Sequence, residues 1–267
     1  MIRLGVIGYG GRIHGMIDHN FRRLSPDLRV VGIVDPNEQD ARARLADCDQ
    51  DAVFYKDLAT MVKNAKLDAL AIGTRCNLHS TFATQAAQYD LPLFLEKPVA
   101  ITMRQATALE KAFANSRCQV VVSFPLRVSP LCELARQYIE EQAIGAPVHI
   151  AATNYVPYGT TYWENPYRDY EITGGLFLQK ATHDFDYLSY LMGEPIVRVG
   201  AMVFDTEALE TLKQDVLGLK TSTEVATIDV ATFKNRYGVT RKFAIPLLEY
   251  LDRERVTRRV GQQRVVL

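Results

Sequence analysis

Arg3-Leu4-Gly5-Val6-Ile7-Gly8-Tyr9-Gly10-Gly11-Arg12-Ile13 opens the chain with a short apolar run, a glycine turn and the start of a helical pattern. A glycine turn in this place lets backbone N–H groups and the positive end of the next helix approach a pyrophosphate. An ordinary tight turn accounts for Gly8 and Gly10 about as well. Ile13 stands where the third glycine of G-x-G-x-x-G would lie, with Gly11 and Gly15 beside it, so close helix–strand packing is the point at issue.

Working outward, a second apolar run, Val30–Val34, ends at Asp35. An acid at the end of the second strand accepts hydrogen bonds from an adenosine ribose and repels a 2′-phosphate, which favours NAD over NADP. The other reading of Asp35-Pro36-Asn37 is a plain turn. Further strands are expected at Ala69–Ile72, Leu93–Leu95 and Val120–Val122, with helices near His79–Tyr89 and Thr102–Asn115 between them. Short apolar strands alternating with crossover helices predict an α/β domain with a doubly wound parallel sheet over residues 1–122.

The pattern changes after Ser123. A helix is expected over Leu131–Glu141. Val148–Tyr155, Val197–Phe204, Val225–Phe233 and Val239–Phe243 alternate like long strands, with hairpin turns at Asn235-Arg236-Tyr237-Gly238 and Gly261-Gln262. A helix from His183 to Met192 and a loop over Pro157–Gly175 complete an α+β domain, residues 123–267, with an open, mostly antiparallel sheet. An uncovered apolar sheet face predicts self-association as a homodimer or homotetramer.

Lys plus Arg and Asp plus Glu both number 31 among the 267 residues, so formal net charge is zero and no nucleic-acid partner is expected. The basic end (Arg253, Arg255, Arg258, Arg259, Arg264) alternates with Val256, Val260 and Val265 and reads as the solvated face of a strand pair. Cys48, Cys76, Cys118 and Cys132 lack metal-ligand spacing, so free thiols are expected rather than zinc or disulfides. With no signal-peptide pattern and no membrane-length apolar run, a cytoplasmic location is expected.

Two motifs carry chemistry. Glu96-Lys97-Pro98 follows the run Leu93–Leu95, at the strand end that faces the ligand crevice of an open parallel sheet. A lysine there can exchange a proton with a substrate oxygen if burial lowers its pKa; a surface Glu–Lys pair is the plainer alternative. In Gly174-Gly175-Leu176-Phe177-Leu178-Gln179-Lys180-Ala181-Thr182-His183-Asp184-Phe185-Asp186, a continuous helix places Asp186 near His183, where it could orient the imidazole. A satisfied buried histidine is the alternative.

Taken in order, the glycine turn, Asp35, Asn77-Leu78-His79, Glu96-Lys97-Pro98 and Gly174-Gly175 with His183-Asp184-Phe185-Asp186 resemble the glucose–fructose oxidoreductase, inositol dehydrogenase and rhizopine-catabolism (Gfo/Idh/MocA) family. The resemblance implies a Rossmann domain followed by a substrate domain that is here shorter than usual. It implies that Lys97 and His183 contact the reacting hydroxyl or carbonyl and that Asn77, His79 and Glu96 lie near the nicotinamide. Gly8, Gly10, Gly11, Arg12, Ile13, Asp35, Thr74 and Lys97 complete the expected cofactor set. Arg127, Tyr158, Trp163, Lys180 and His183 are the expected substrate set, with Tyr162 and Arg168 as further pocket candidates. Many relatives carry an acid four residues before the motif histidine, where this chain has Gln179.

The expected function is hydride transfer between NAD(H) and a sugar, inositol or related polyol or keto-sugar. The cofactor would supply the redox chemistry, and the protein position and electrostatics. The alternatives are a non-catalytic NAD- or sugar-sensing protein on the same fold, and carbohydrate transfer or hydrolysis with bound NAD.

Overall fold

The computed structural model describes residues 1–145, 147, 150, 152–155, 159–164, 166–193, 196–199, 202–220 and 226–267. The chain divides into two compact units, Met1–Pro125 with Val156–His183, and Leu126–Tyr155 with Asp184–Leu267. The break expected near residue 122 is thus one of three crossings, because 156–183 returns to the first unit.

The first unit is built on a six-stranded parallel sheet: β1 (Arg3–Ile7), β2 (Arg29–Val34), β3 (Val53–Phe54), β4 (Ala69–Ile72), β5 (Leu93–Leu95) and β6 (Val120–Val122), in the order β3-β2-β1-β4-β5-β6. The order reverses between β1 and β4, so the crevice for a ligand opens beyond the carboxyl ends of these two strands. Leu4, Val6, Val30, Ile33 and Ala71 face one buried cluster; Ile7, Leu70, Ile72, Leu93 and Leu95 face another. Burial on both faces is why these strands read as continuous apolar runs rather than alternating ones. β3 escaped the sequence reading because two residues give too little pattern.

Local chemistry sets the helices. α1 (Gly11–Met16) starts from Gly10, and α2 (Leu58–Ala65) from Asp57, whose carboxylate accepts from Thr60 N–H at 2.7 Å. α3 (Cys76–Ala86) begins three residues before the expected start, which puts Asn77 and His79 in its first turn. Thr102 caps α4 (Met103–Phe113), and Ser129 caps α5 (Pro130–Glu140) with Pro130 in its first turn. Between 159 and 175 the expected loop contains short helical turns at Thr161–Glu164, Pro166–Arg168 and Tyr170–Thr173. α6 (Leu176–Met192) starts a full two turns before His183.

The second unit differs most from expectation. Part of Val148–Tyr155 lies outside the described residues, and its described positions 150 and 152–155 form no strand. Val197–Phe204 is not one strand but an antiparallel pair, β7 (Ile196–Val199) and β8 (Met202–Asp205). α7 (Thr206–Leu217) follows, then β9 (Thr227–Asp229), α8 (Val230–Tyr237), α9 (Arg241–Arg253), β10 (Thr257–Val260) and β11 (Gln263–Val266). The expected strand Val225–Phe233 is thus a strand only over Thr227–Asp229 and helix from Val230, and Val239–Phe243 is helix from Arg241. Asp229 stops the first one: its carboxylate accepts from Thr232 N–H at 2.7 Å and starts α8. The expected turn at Asn235–Gly238 is the end of that helix, with Gly238 at φ 64°. Val239–Phe243 leads into α9, whose buried Ala244, Leu247, Leu248 and Leu251 recur with helical spacing.

The sheet of this unit is antiparallel but small, in the order β10-β11-β9. Its Ile228, Val256 and Val266 pack with Leu209, Phe233 and Leu248 of the three helices. One face of the sheet is thus packed by helices, while Thr227, Arg258, Val260 and Gln263 on the other face are exposed. The turn at Gly261-Gln262 does join β10 to β11, with Gly261 at φ 64°.

Candidate functional site

The glycine turn leaves β1 at its carboxyl end. Gly8 has φ 80°, and a Cβ on it would lie 2.8 Å from the Thr74 backbone, so only glycine fits. Nothing lies within 4 Å of a Cβ built on Gly10 or Gly11, and no side chain caps α1. The start of α1 thus has open space at both glycines and no side-chain cap, which leaves room for an approaching pyrophosphate.

Ile13 is fully buried, and the close approach expected of a third glycine is supplied from the other side. A Cβ on Gly73, just past β4, would lie 2.6 Å from the Ile13 Cβ. The sequence reading missed Gly73, although its place directly after the apolar run Ala69–Ile72 was visible. Gly73→Ala is expected to cost about 1–3 kcal/mol by overpacking, read in urea melts. Ile13→Gly should relieve that clash, so a double-mutant cycle gives a coupling of about 1 kcal/mol or more toward rescue. Additive effects would show that the two residues do not press on each other.

Asp35 ends β2 with both oxygens engaged by main chain: Tyr9 N–H donates at 2.7 Å and Asn37 N–H at 2.8 Å. The carboxylate is held at the turn and keeps further lone pairs for hydroxyl donors. The Asx turn read as an alternative is present, and the same side chain also fixes the glycine turn.

Glu96 is buried at the end of β5 and accepts from Arg12 Nε at 2.9 Å, a bond that ties α1 to the chemical edge of the sheet. His79, expected near the nicotinamide, has both ring nitrogens beside backbone carbonyls, Nδ1 at 2.8 Å from Pro98 and Nε2 at 3.0 Å from Thr74. Burial lowers its pKa. Its evident work is to hold the segments after β4 and β5 in place. Asn77 lends its carbonyl to Gln105, while its Oδ1 is buried with no hydrogen-bond partner among the described residues. Such an orphaned acceptor suits a carboxamide N–H, as does the open glycine cradle a pyrophosphate.

Lys97 reaches α6. Its Nζ donates to the Gln179 carbonyl at 2.7 Å, and its pKa is pushed down first by burial and then by the Lys180 charge. Position 179, where the resemblance implies an acid, thus receives the lysine on its main-chain carbonyl. The side-chain Oε1 of Gln179 is buried without a partner among the described residues. Lys180 Nζ lies 4.3 Å from the Tyr162 ring centroid, a cation–π contact. His183, one turn beyond Gln179, meets Phe124 edge to face at 5.9 Å. The indole of Trp163 is largely exposed, and its carbonyl accepts from Arg168 at 3.4 Å. Tyr158 lies outside the described residues.

The expected Asp186–His183 pairing is corrected within the second unit. Both Asp186 oxygens are taken by Arg127, with Nε donating to Oδ2 at 2.8 Å and Nη2 to Oδ1. Arg127 also lies 4.9 Å from the Tyr190 ring centroid. A bidentate guanidinium satisfies the carboxylate better than one imidazole N–H could. Asp184 accepts from Asn154 at 2.8 Å.

A family model described as "Oxidoreductase family, NAD-binding Rossmann fold" matches residues 2–124, and a "GFO/IDH/MocA C-terminal domain" model matches 132–241. The chain belongs to the GFO/IDH/MocA family. Residues 2–124 are an NAD-binding Rossmann domain. An inositol 2-dehydrogenase from Pseudomonas fluorescens is 29% identical over 89% of this GFO/IDH/MocA chain and 69% of the relative. One from Burkholderia ambifaria is 30% identical over 72% of the chain and 55% of the relative. Among solved structures, the WlbA dehydrogenase from Bordetella pertussis with NADH and UDP-GlcNAcA has TM-score 0.60 at 25% identity, covering 73% of this chain and 59% of that one. The chain thus spans little more than half the length of several relatives; against a Thermotoga maritima myo-inositol 2-dehydrogenase it spans 60%. Residues 221–266 also match a model described as "Elongation factor SelB, winged helix", overlapping the family's C-terminal model over 221–241. The elements inside that second match are β9, α8, α9, β10 and β11.

Proposed function

We infer that this protein is an NAD(H)-dependent oxidoreductase acting on a secondary hydroxyl or the matching carbonyl of a sugar, inositol or related polyol. The observation that carries this reading is the Lys97–Gln179 bond, which joins the residue after β5 to the α6 motif. Bound NAD would accept the hydride released from the carbinol carbon. Lys97 Nζ would take the hydroxyl proton, helped by its lowered pKa, and His183 would hydrogen-bond the same oxygen. Gly8, Gly10 and Gly11 would leave room for the pyrophosphate, and Asn77 would orient the carboxamide. Thr74, His79, Arg12 and Glu96 would hold the walls of that site. Lys180 would set the charge beside Lys97, and Trp163 would offer an aromatic face to a sugar ring. Screening NADH absorbance against sugars, inositols and keto-sugars tests the reading, and NADH binding without net turnover on any of them would favour a sensor.

Asp35 would select NAD over NADP by accepting ribose hydroxyls and repelling a 2′-phosphate. NADH is therefore expected to bind more tightly than NADPH in fluorescence titrations. Asp35→Ser should narrow the gap by about 1–3 kcal/mol, the range for hydrogen bonds to a charged group. Tighter NADPH binding by the parent protein would refute the assignment.

A further inference from the structure

The zero net charge of the whole chain conceals a segregation. Residues 226–267 hold nine Lys and Arg against four Asp and Glu, a net charge of +5. Three of those acids are committed inside the fold: Asp229 caps α8, Asp252 accepts from Arg264 Nε at 2.9 Å, and Glu254 accepts from Lys213 Nζ at 2.9 Å. Arg236 is paired with Asp215. Arg241, Lys242, Arg255, Arg258 and Arg259 are exposed and form no ion pair among the described residues.

Their placement is specific. α8 and α9 pack together and are joined by Gly238-Val239-Thr240, the short glycine turn of a helix-turn-helix. Arg241 and Lys242 form the first turn of the second helix, the end that such a motif presents to a nucleic-acid groove. The β10–β11 hairpin then carries Arg258 and Arg259. These two residues and Val260 are consecutive in a strand, yet all are exposed, so this end of β10 presents side chains from both of its faces to solvent. Gln262 and Gln263 add amide donors at the tip. Arginine suits phosphate because its guanidinium can donate in parallel to two oxygens. A membrane surface is a poorer match, because Val260 and the terminal Leu267 are the exposed large hydrophobic residues recorded in this segment.

We propose that α9 and the β10–β11 hairpin form a nucleic-acid-binding face, with Arg241, Lys242, Arg258 and Arg259 contacting the phosphate backbone of a duplex. The acid that opposes this face is Glu249, which is exposed on α9.

The test uses the full chain and fluorescein-labelled DNA and RNA duplexes of about 20 base pairs, read by anisotropy from about 50 to 200 mM salt. About four phosphate contacts give a slope of log K against log salt near −3 to −4. Arg258→Ala with Arg259→Ala should weaken binding at least tenfold and reduce that slope by about 2. Glu249→Gln should tighten binding by twofold or more, a gain that misfolding cannot imitate. NADH binding and thermal melts of each variant report an intact fold. Equal binding of both duplexes assigns the face to phosphate alone, and a preference for one identifies the physiological form. The proposal is overturned if neither duplex binds at 50 mM salt. Unchanged binding by the arginine and Glu249 variants overturns it too, as does capture by phosphatidylserine vesicles without capture by either duplex.

Discussion

Lys97→Ala is expected to lower kcat by about 10²–10⁴-fold on the best substrate, the range for loss of a general acid–base group, while NADH binding should change little. The geometry behind this is the Nζ held at 2.7 Å from the Gln179 carbonyl, just past the carboxyl end of β5. His183→Ala should fall in the same range. The pH dependence follows from the downward shift of the Lys97 pKa, caused by burial and then by Lys180. A group whose charged form is disfavoured becomes a base at lower pH, so alcohol oxidation should rise with pH and level off at a midpoint below the ordinary lysine value. Lys180→Gln removes one cause of the shift and should move that midpoint to higher pH. Near-normal turnover of both alanine variants would take the proton relay away from these residues. Loss of NADH binding instead would place them in the cofactor site.

Arg22→Met costs about 3–5 kcal/mol of stability in urea melts, because it strips a buried carboxylate of its counterion. The Asp49 side chain is fully buried, accepts from Val30 N–H at 3.1 Å and is paired with Arg22, which also pairs with Asp18. Burial and these acids push the Tyr9 hydroxyl pKa upward, so the same cluster underlies the glycine turn. Asp49→Asn keeps an acceptor for Val30 and removes the charge. Combined with Arg22→Met it should recover most of the loss. A cost below about 1 kcal/mol for Arg22→Met would mean that water or a proton reaches Asp49 without the arginine.

Short-range signals settled much of the first unit. Apolar runs at 3–7, 69–72 and 93–95 mark strands buried on both faces, and the run at 120–122 marks a half-exposed edge strand; this needs no knowledge of partners. The glycine turn, Asp35 and Glu96-Lys97-Pro98 were legible for the same reason, since each sits at a fixed offset from the end of a strand. Gly73 opposite Ile13, and Gln179 opposite Lys97, were not legible, because each depends on a partner far away in the chain.

Asp186 shows how helical spacing can mislead. Its offset from His183 suggested a pair, yet the carboxylate went to Arg127, a stronger bidentate donor that no local pattern points to. The second unit was misread where alternating apolar residues satisfy strand and helix patterns alike. Asp229 as a cap and Gly238 as a helix end then decided for helix. By itself the sequence determined the parallel sheet, its ligand edge and the family's motifs, all consequences of residue spacing along one strand or helix. Tertiary structure alone decided which distant groups pair and which side chains pack over the small sheet. Those outcomes rest on competition among distant partners for burial and charge, which spacing along the chain does not encode.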